Sequence, residues 1–297
     1  MAAARIGRFA PTPSGPLHIG SLLAAVGSWL DAGNGGLCHL RIDDLDTPRC
    51  RGTHETAILT ALAACGLSYP QPPLHQSTRG AAYEAAIARL RERVPLFYCD
   101  CTRRELAAEA EACCIRDCAR RSPDPANSSL RADLRGLEAQ SVRDRSLGEI
   151  VFDPRLQRDL IVRRRDGLLA YHLACVVDDA AQGVTDVVRG ADLLAGTPWQ
   201  LALHQALALT PPGYLHLPLV VEADGQKLSK SRHAAPLDAA QATAALRQVL
   251  RWLGQDDPPA NLGSAAAILA DARDRWEPAR FAGVVEVRLA LADPRIL

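Results

Sequence analysis

The chain has 297 residues, 48% of them hydrophobic but only 4% aromatic. That is enough for one large unit or two modest ones around a core of Ala, Leu and Val. The 34 basic residues balance the 34 acidic ones, which excludes a polyanion binder acting through net charge and leaves room for a local basic face. No run of about 18 apolar residues occurs, and the start, MAAARIGRFAPTPSG, lacks the apolar stretch of a secretory leader, so a cytoplasmic protein without membrane spans is expected.

In chain order, residues 4–10 read as a short strand, which PTPSGPLHIGS (11–21) interrupts with three prolines and two glycines. Residues 19–32 are apolar at helical spacing and stop at Gly33. LCHLRIDD (37–44) reads as a second strand, and helices follow at 53–65 and 81–94. Strand–helix–strand order of this kind predicts an α/β fold with a parallel sheet. The pattern breaks at 98–157, which carries a cysteine cluster and the loop-like SPDPANSS. DLIVRRRDG (159–167), LLAYHLACVVDDA (168–180) and VTDVVRGADL (184–193) then read as strands, followed by a helix at 198–209 and a strand at 215–222. Ala- and Leu-rich helical segments, jointed by DDPPANLGS (256–264), are expected to the end. The expected division is therefore a catalytic α/β unit at 1–97 and 158–222, an insertion at 98–157, and a small helical region at 223–297.

Three stretches carry chemistry. PTPSGPLHIGS lies at a strand-to-helix turn, where the carboxyl edge of a parallel sheet and a helix amino end favour phosphate. Gly15 and Gly20 permit close backbone approach, and His18 can donate to phosphate oxygens. HIG alone also suits an ordinary surface loop. GQKLSKSRH (225–233) holds the only two lysines of the chain, Lys227 and Lys230, against arginine everywhere else. An ammonium is a compact, mobile charge, suited to following phosphates through a reaction, whereas a guanidinium grips as a planar fork. The plain alternative is an exposed basic turn. CDCTRRELAAEAEACCIRDC (99–118) gathers five of the nine cysteines. Cys99 and Cys101, with Cys114 and Cys118, form two close pairs suited to one tetrahedral structural zinc, Zn2+. Cys113 is surplus and can replace Cys114. A set of reduced buried thiols is the alternative, though a small, charged segment would bury five poorly.

HIG near the start and KLSKS near the end, in that order and context, resemble the signature pair of the class I aminoacyl-tRNA synthetases. RFAPTPSGPLHIGS, RIDDLDTPR, YHLACVVDDAAQGVTDVVRGADLL, HLPLVV and KLSKS together are similar to the glutamyl branch, over most of the chain. The resemblance implies a Rossmann-type sheet and use of ATP with Mg2+. It implies that His18, Gly20 and Ser21 contact ATP and that Lys227 and Lys230 offset charge on the leaving pyrophosphate. It further implies that Arg8, Phe9, Ala10, Pro11 and Thr12, with Tyr171 and Arg189, line a site for L-glutamate. Asp43 lies where that family has a glutamate holding the substrate's amino group. Being one methylene shorter, it is expected to reach the ammonium through water. Ser21 replaces the last histidine of the signature.

Only 66 residues follow Ser231, so a few helices and no anticodon-reading module are expected there. The short form with its cysteines resembles the glutamyl-queuosine tRNA(Asp) synthetase family, which implies transfer of activated glutamate to queuosine at the wobble position of tRNA(Asp). The arginines of the insertion and rim, among them Arg116, Arg121, Arg163, Arg164 and Arg165, are candidates for phosphate contacts. The alternatives are charging of a tRNA 3′ end by a truncated synthetase, a non-catalytic RNA-binding paralogue, and a ligase with a small-molecule acceptor. No exposed apolar helix is evident, so a monomer is expected.

Overall fold

A computed structural model describes residues 4–106, 114–222 and 236–288. The first strand, β1 (Ile6–Phe9), leads through the Pro-rich turn into α1 (Ile19–Ala32), which returns to β2 (Leu37–Ile42) beside β1 in parallel, Ile6 opposite Leu37. Helix α1 ends where expected: Gly33 has φ 70°, and its N–H caps Leu30 O, a left-handed stop that favours glycine. After α2 (Gly52–Ala64), β3 (Leu74–His75) joins the far side of β2, also in parallel.

The connection from α1 to β2 is tight. A Cβ on Gly36 would lie 2.0 Å from Ala32 O and 2.6 Å from Arg5 O. Both are backbone atoms that cannot swing aside. Gly36→Ala is expected to cost roughly 2–4 kcal/mol, read as a lower urea midpoint with an unchanged slope. A midpoint equal to the parent's would show that the turn can relax.

Helix α3 (Gly80–Arg91) precedes an antiparallel sheet, β4 (Leu96–Cys99), β5 (Ser129–Asp133) and β8 (Asp159–Arg163), in the order β4-β5-β8. Within the cysteine stretch lie the short helix α4 (Arg103–Leu106) and the start of α5 (Cys118–Arg121). Between β5 and β8, the hairpin β6 (Gln140–Asp144) and β7 (Gly148–Phe152) leaves this sheet. It extends a second parallel set through β10 (Gly213–Leu217), which in turn pairs with β9 (Asp186–Gly190). Strand pairing therefore does not follow the 98–157 boundary: β6 joins β10, whereas β8, beyond residue 157, pairs with β5.

Strands β1 and β9 lie side by side. Thr185 N–H donates to Ile6 O at 2.8 Å, and Ile6 N–H to Thr185 Oγ1 at 2.9 Å. The strand order reverses here, since β1 continues to β2 on one side and meets β9 on the other. Helix α1, with α8 (Ala242–Trp252) and α9 (Ala265–Asp274), packs one apolar core. Helices α3, α6 (Tyr171–Ala181) and α7 (Thr197–Ala206) pack the other. The expected α/β class with a parallel sheet holds.

Two expected elements differ. Residues 171–181 form helix α6 rather than a strand. A short apolar run reads either way by periodicity, and here Leu173, Ala174 and Val176 bury into a helical layer while Asp178 and Asp179 serve buried partners. The C-terminal region is not wholly helical either, because β12 (Glu286–Arg288) pairs in parallel with β11 (Leu219–Val221). The strand expected at 215–222 is divided at Pro218 into β10 and β11. No helix among the described residues is long and apolar enough to cross a membrane.

Candidate active site

Ligands of open α/β sheets sit outside the strand carboxyl ends, where the strand order reverses. A cleft of about 320 Å³ occupies this position between β1 and β9. Arg8, Phe9, Ala10, Pro11 and Thr12 supply one wall, Val188, Arg189 and Gly190 another, and the first turns of α1, with His18, Gly20 and Ser21, the floor. Tyr171 at the start of α6 closes a side and remains 38% exposed. Seven of the eight residues expected around an amino acid (Arg8, Phe9, Ala10, Pro11, Thr12, Tyr171 and Arg189) thus line one cleft with three of the four expected around a nucleotide, His18, Gly20 and Ser21.

His18 is the N-cap of α1, in extended backbone, and its Nε2 lies 3.1 Å from Ser21 Oγ. The helix's amino end and its dipole favour an anion there.

Beneath the cleft runs a buried line of charge. Arg8 Nε donates to Asp179 Oδ1 at 3.2 Å and Arg8 Nη1 to Val188 O at 3.1 Å. Arg41 Nη1 donates to the same Asp179 oxygen, and Arg41 Nε to Asp43 Oδ1 at 2.8 Å. Two guanidinium groups and two carboxylates alternate, so the charges balance and neither cation is stranded. Burial acts on both acids with different outcomes. It pushes the Asp43 carboxyl up despite Arg41, whereas Arg41 and Arg8 together overcome it and hold Asp179 below the ordinary range. Sequence reading missed the parts played by Arg41 and Asp179. The alternation Arg41-Ile42-Asp43 at the end of β2 was the available signal, because residues two apart in extended chain share a face.

Asp43 is 7% exposed and faces a neighbouring hollow of about 420 Å³, not the first cleft. That hollow shares Thr12 and Tyr171 with the cleft, and Asp46, Arg49, Arg164 and Trp199 surround it. Two chambers therefore meet at Tyr171, one against the helix amino end and one against β8.

Arg189 is 4% exposed and held on three sides. Its Nε donates to His216 Nε2 at 3.1 Å, Nη1 to Gln200 Oε1 at 2.8 Å and Nη2 to Thr197 Oγ1 at 2.7 Å. Lys227, Lys230 and the rest of GQKLSKSRH lie outside the described residues.

The cysteines converge 30 residues and more from these elements in sequence. The Sγ atoms of Cys99, Cys101, Cys114 and Cys118 all lie within 4.8 Å of one another, with Cys101–Cys114 at 3.9 Å and Cys101–Cys118 at 3.7 Å. Thiolates about 2.3 Å from a tetrahedral zinc are about 3.8 Å apart, so the set fits that ion. Cys113 lies outside the described residues. Burial raises the Cys118 thiol to about 12 and Cys99 further, so a thiolate set needs a cation among them. Burial also acts on Cys101, but hydrogen bonds involving Cys99, the Ile115 backbone and Arg116 bring it down to about 7. Around the set, Cys114 N–H donates to Asp159 Oδ2 at 3.0 Å and Arg121 Nη1 to Asp100 Oδ1 at 3.2 Å. The rim arginines are partly engaged within the chain: Arg116 with Glu105, Arg163 with Glu84, Arg164 with Asp166 and Arg165 with Asp100 O.

A family model for the catalytic domain of class I tRNA synthetases (E and Q) matches residues 6–251. The chain is 47% identical over 291 residues to a glutamyl-Q tRNA(Asp) synthetase of Xanthomonas campestris pv. campestris, covering 96% of this chain and 95% of the relative. It is 43% identical to a protein of the same description from Leptothrix cholodnii, covering 94% of each. Among solved structures, a glutamate-tRNA synthetase from Elizabethkingia anophelis superposes with a TM-score of 0.76 at 22% identity, over 97% of this chain and 68% of that one. That likeness is one of fold.

Proposed function

Since the chain belongs to the class I tRNA synthetase family of the E and Q branch, we propose that it activates L-glutamate with ATP and transfers the glutamyl group to queuosine in tRNA(Asp). The observation that carries this reading is the pairing of two buried guanidinium groups, Arg8 and Arg189, in one cleft with the amino end of α1. A dicarboxylic amino acid offers two anionic groups to guanidinium donors, and a nucleotide offers phosphates to the helix end.

In the first step the α-carboxylate of glutamate attacks the α-phosphate of ATP, and pyrophosphate leaves. Arg8 meets the side-chain carboxylate, Arg189 and Tyr171 complete the pocket, and His18, Gly20 and Ser21 face ATP. Mg2+ brought with ATP would offset phosphate charge, and Lys230 and Lys227, in the sequence after β11, are the chain's own cations for the same charge. In the second step an acceptor hydroxyl attacks the acyl carbonyl and AMP leaves. The hollow beyond Tyr171 gives that acceptor a route of entry, with Asp43 on its wall for the glutamate ammonium. Positioning and electrostatics carry both steps without a covalent enzyme intermediate. Cys99, Cys101, Cys114 and Cys118 would hold one zinc, whose part is to tie the 98–157 region together.

The test is transfer of labelled glutamate to tRNA from cells able or unable to make queuosine. Label confined to the queuosine-containing pool is the expected result. Equal label on both pools would point to 3′-end charging, and none on either would overturn acyl transfer to tRNA.

A further inference from the structure

Arg189 differs from Arg8 in what holds its Nε. Arg8 Nε is met by a carboxylate, Asp179 at 3.2 Å, whereas Arg189 Nε is met by an imidazole, His216 Nε2 at 3.1 Å. Arginine has donors only, so His216 Nε2 must present its lone pair. On the other side of the ring, His216 Nδ1 lies 2.7 Å from Asp144 Oδ2. A carboxylate only accepts, so the proton sits on Nδ1. One tautomer meets both demands: the neutral ring with Nδ1–H toward Asp144.

Asp144 is itself pinned at the β6–β7 turn. Its Oδ1 accepts from Ser146 N–H at 2.9 Å and Leu147 N–H at 2.8 Å, and its Oδ2 also accepts from His216 N–H at 3.0 Å. Asp144 and His216 are both fully buried in their side chains. The Tyr214 ring stacks beside His216, centroids 6.1 Å apart and 6° from parallel, and the Arg189 guanidinium lies 5.4 Å from the same ring. Burial lowers the His216 pKa and the Asp144 bond only partly restores it, which keeps the ring neutral.

We propose that Asp144 and His216 are positioning residues that lock this tautomer and thereby aim Arg189 into the cleft with its charge uncancelled. A carboxylate held by Nε alone would fix the guanidinium equally well but offset more of its charge; at Arg8 that carboxylate, Asp179, is shared with Arg41. An imidazole between them separates the fixed anion from the cation by a ring, so the field of Arg189 stays available to an anionic substrate. With Gln200 and Thr197, the dyad engages three of its five N–H groups among the described residues, and the remaining two are donors for a carboxylate. This assignment of substrate rests on the proposed glutamate site.

Two substitutions separate positioning from bulk. A glutamine amide reaches the place of Nε2 and can still accept from Arg189; an asparagine amide reaches the place of Nδ1 and keeps only the Asp144 side. In glutamate-dependent ATP–pyrophosphate exchange, His216→Gln should raise KM for glutamate less than about threefold and His216→Asn about tenfold or more. KM for ATP should stay within about twofold in both, with similar urea midpoints. Equal KM values for glutamate in the two variants would overturn the proposal. Long-range 1H–15N spectra of the histidine-labelled parent protein provide a readout that needs neither variant nor substrate. A buried ring protonated on Nδ1 alone, absent from His216→Gln, is expected, and an Nε2-protonated ring at this position would overturn the lock. If the parent shows that tautomer but no glutamate-dependent exchange, the reading of the cleft fails and the dyad's role in orienting Arg189 toward glutamate falls with it.

Discussion

Arg8→Lys should lower kcat/KM for glutamate by about 100- to 1000-fold, equivalent to roughly 3–4 kcal/mol. The residue works in three directions: Nε meets Asp179, Nη1 meets Val188 O, and the side chain lines the cleft. A lysine keeps the charge but replaces a rigid planar fork with a single ammonium on a flexible stem. That ammonium will settle on Asp179, the nearest buried anion, and the cleft loses its donor. Asp179 still has Arg41, so the loss of stability should be the smaller effect, about 1–2 kcal/mol. The checking measurements are pyrophosphate exchange against glutamate concentration, with ATP saturating, and urea unfolding of the same preparation. An exchange rate within threefold of the parent would remove Arg8 from the proposed pocket. A collapse of both activity and unfolding midpoint would make its role one of charge balance.

The second large effect concerns the four cysteines. Cys118→Ser should abolish binding of the zinc proposed for this site, because a closed tetrahedral site loses affinity steeply with one thiolate gone. The local apolar cluster is small: Cys99, Cys101 and Cys118 with Phe97, Leu106 and Cys114. Without the ion, the buried thiols of Cys99 and Cys101, the half-buried Cys114 and a few apolar contacts cannot offset the entropy of ordering this segment. The cleft between β1 and β9 is built from other elements. Transfer to tRNA should therefore fall at least tenfold while glutamate-dependent exchange stays within about threefold. Metal analysis, exchange and transfer on the purified variant check this. Retention of one zinc per chain would take Cys118 out of the ligand set. Loss of zinc with unchanged transfer would leave the metal without a role in acceptor handling.

Much of this was legible in residue order. The apolar spacing of 19–32 and the glycine that stops it mark α1, whose ends agree because helix period and cap act within a few residues. The PTPSGPLHIGS turn, flanked by a strand and a helix, indicates the ligand edge, because open α/β sheets bind ligands outside their strand carboxyl ends. Four cysteines in two pairs point to one cluster, since ligand spacing along the chain limits how far the sulfurs can separate. Helix α6 was not legible. YHLACVVDDA is apolar enough for a strand, and only its burial against α3 and α7 selects the helix.

The sequence by itself determined the α/β class, the α1 turn and the cysteine set, because each depends on local period, backbone permission or short spacing, while the residues that border the cleft came from the resemblance to the glutamyl branch. What only the tertiary structure decided is the electrostatic support. Arg8 meets Asp179 across 171 residues, Arg41 meets it across 138, and His216 meets Asp144 across 72. No local rule pairs such distant charges. Burial makes an unpaired charge costly in proportion to its isolation from water, so each partner is chosen by which groups the packed sheet brings within reach.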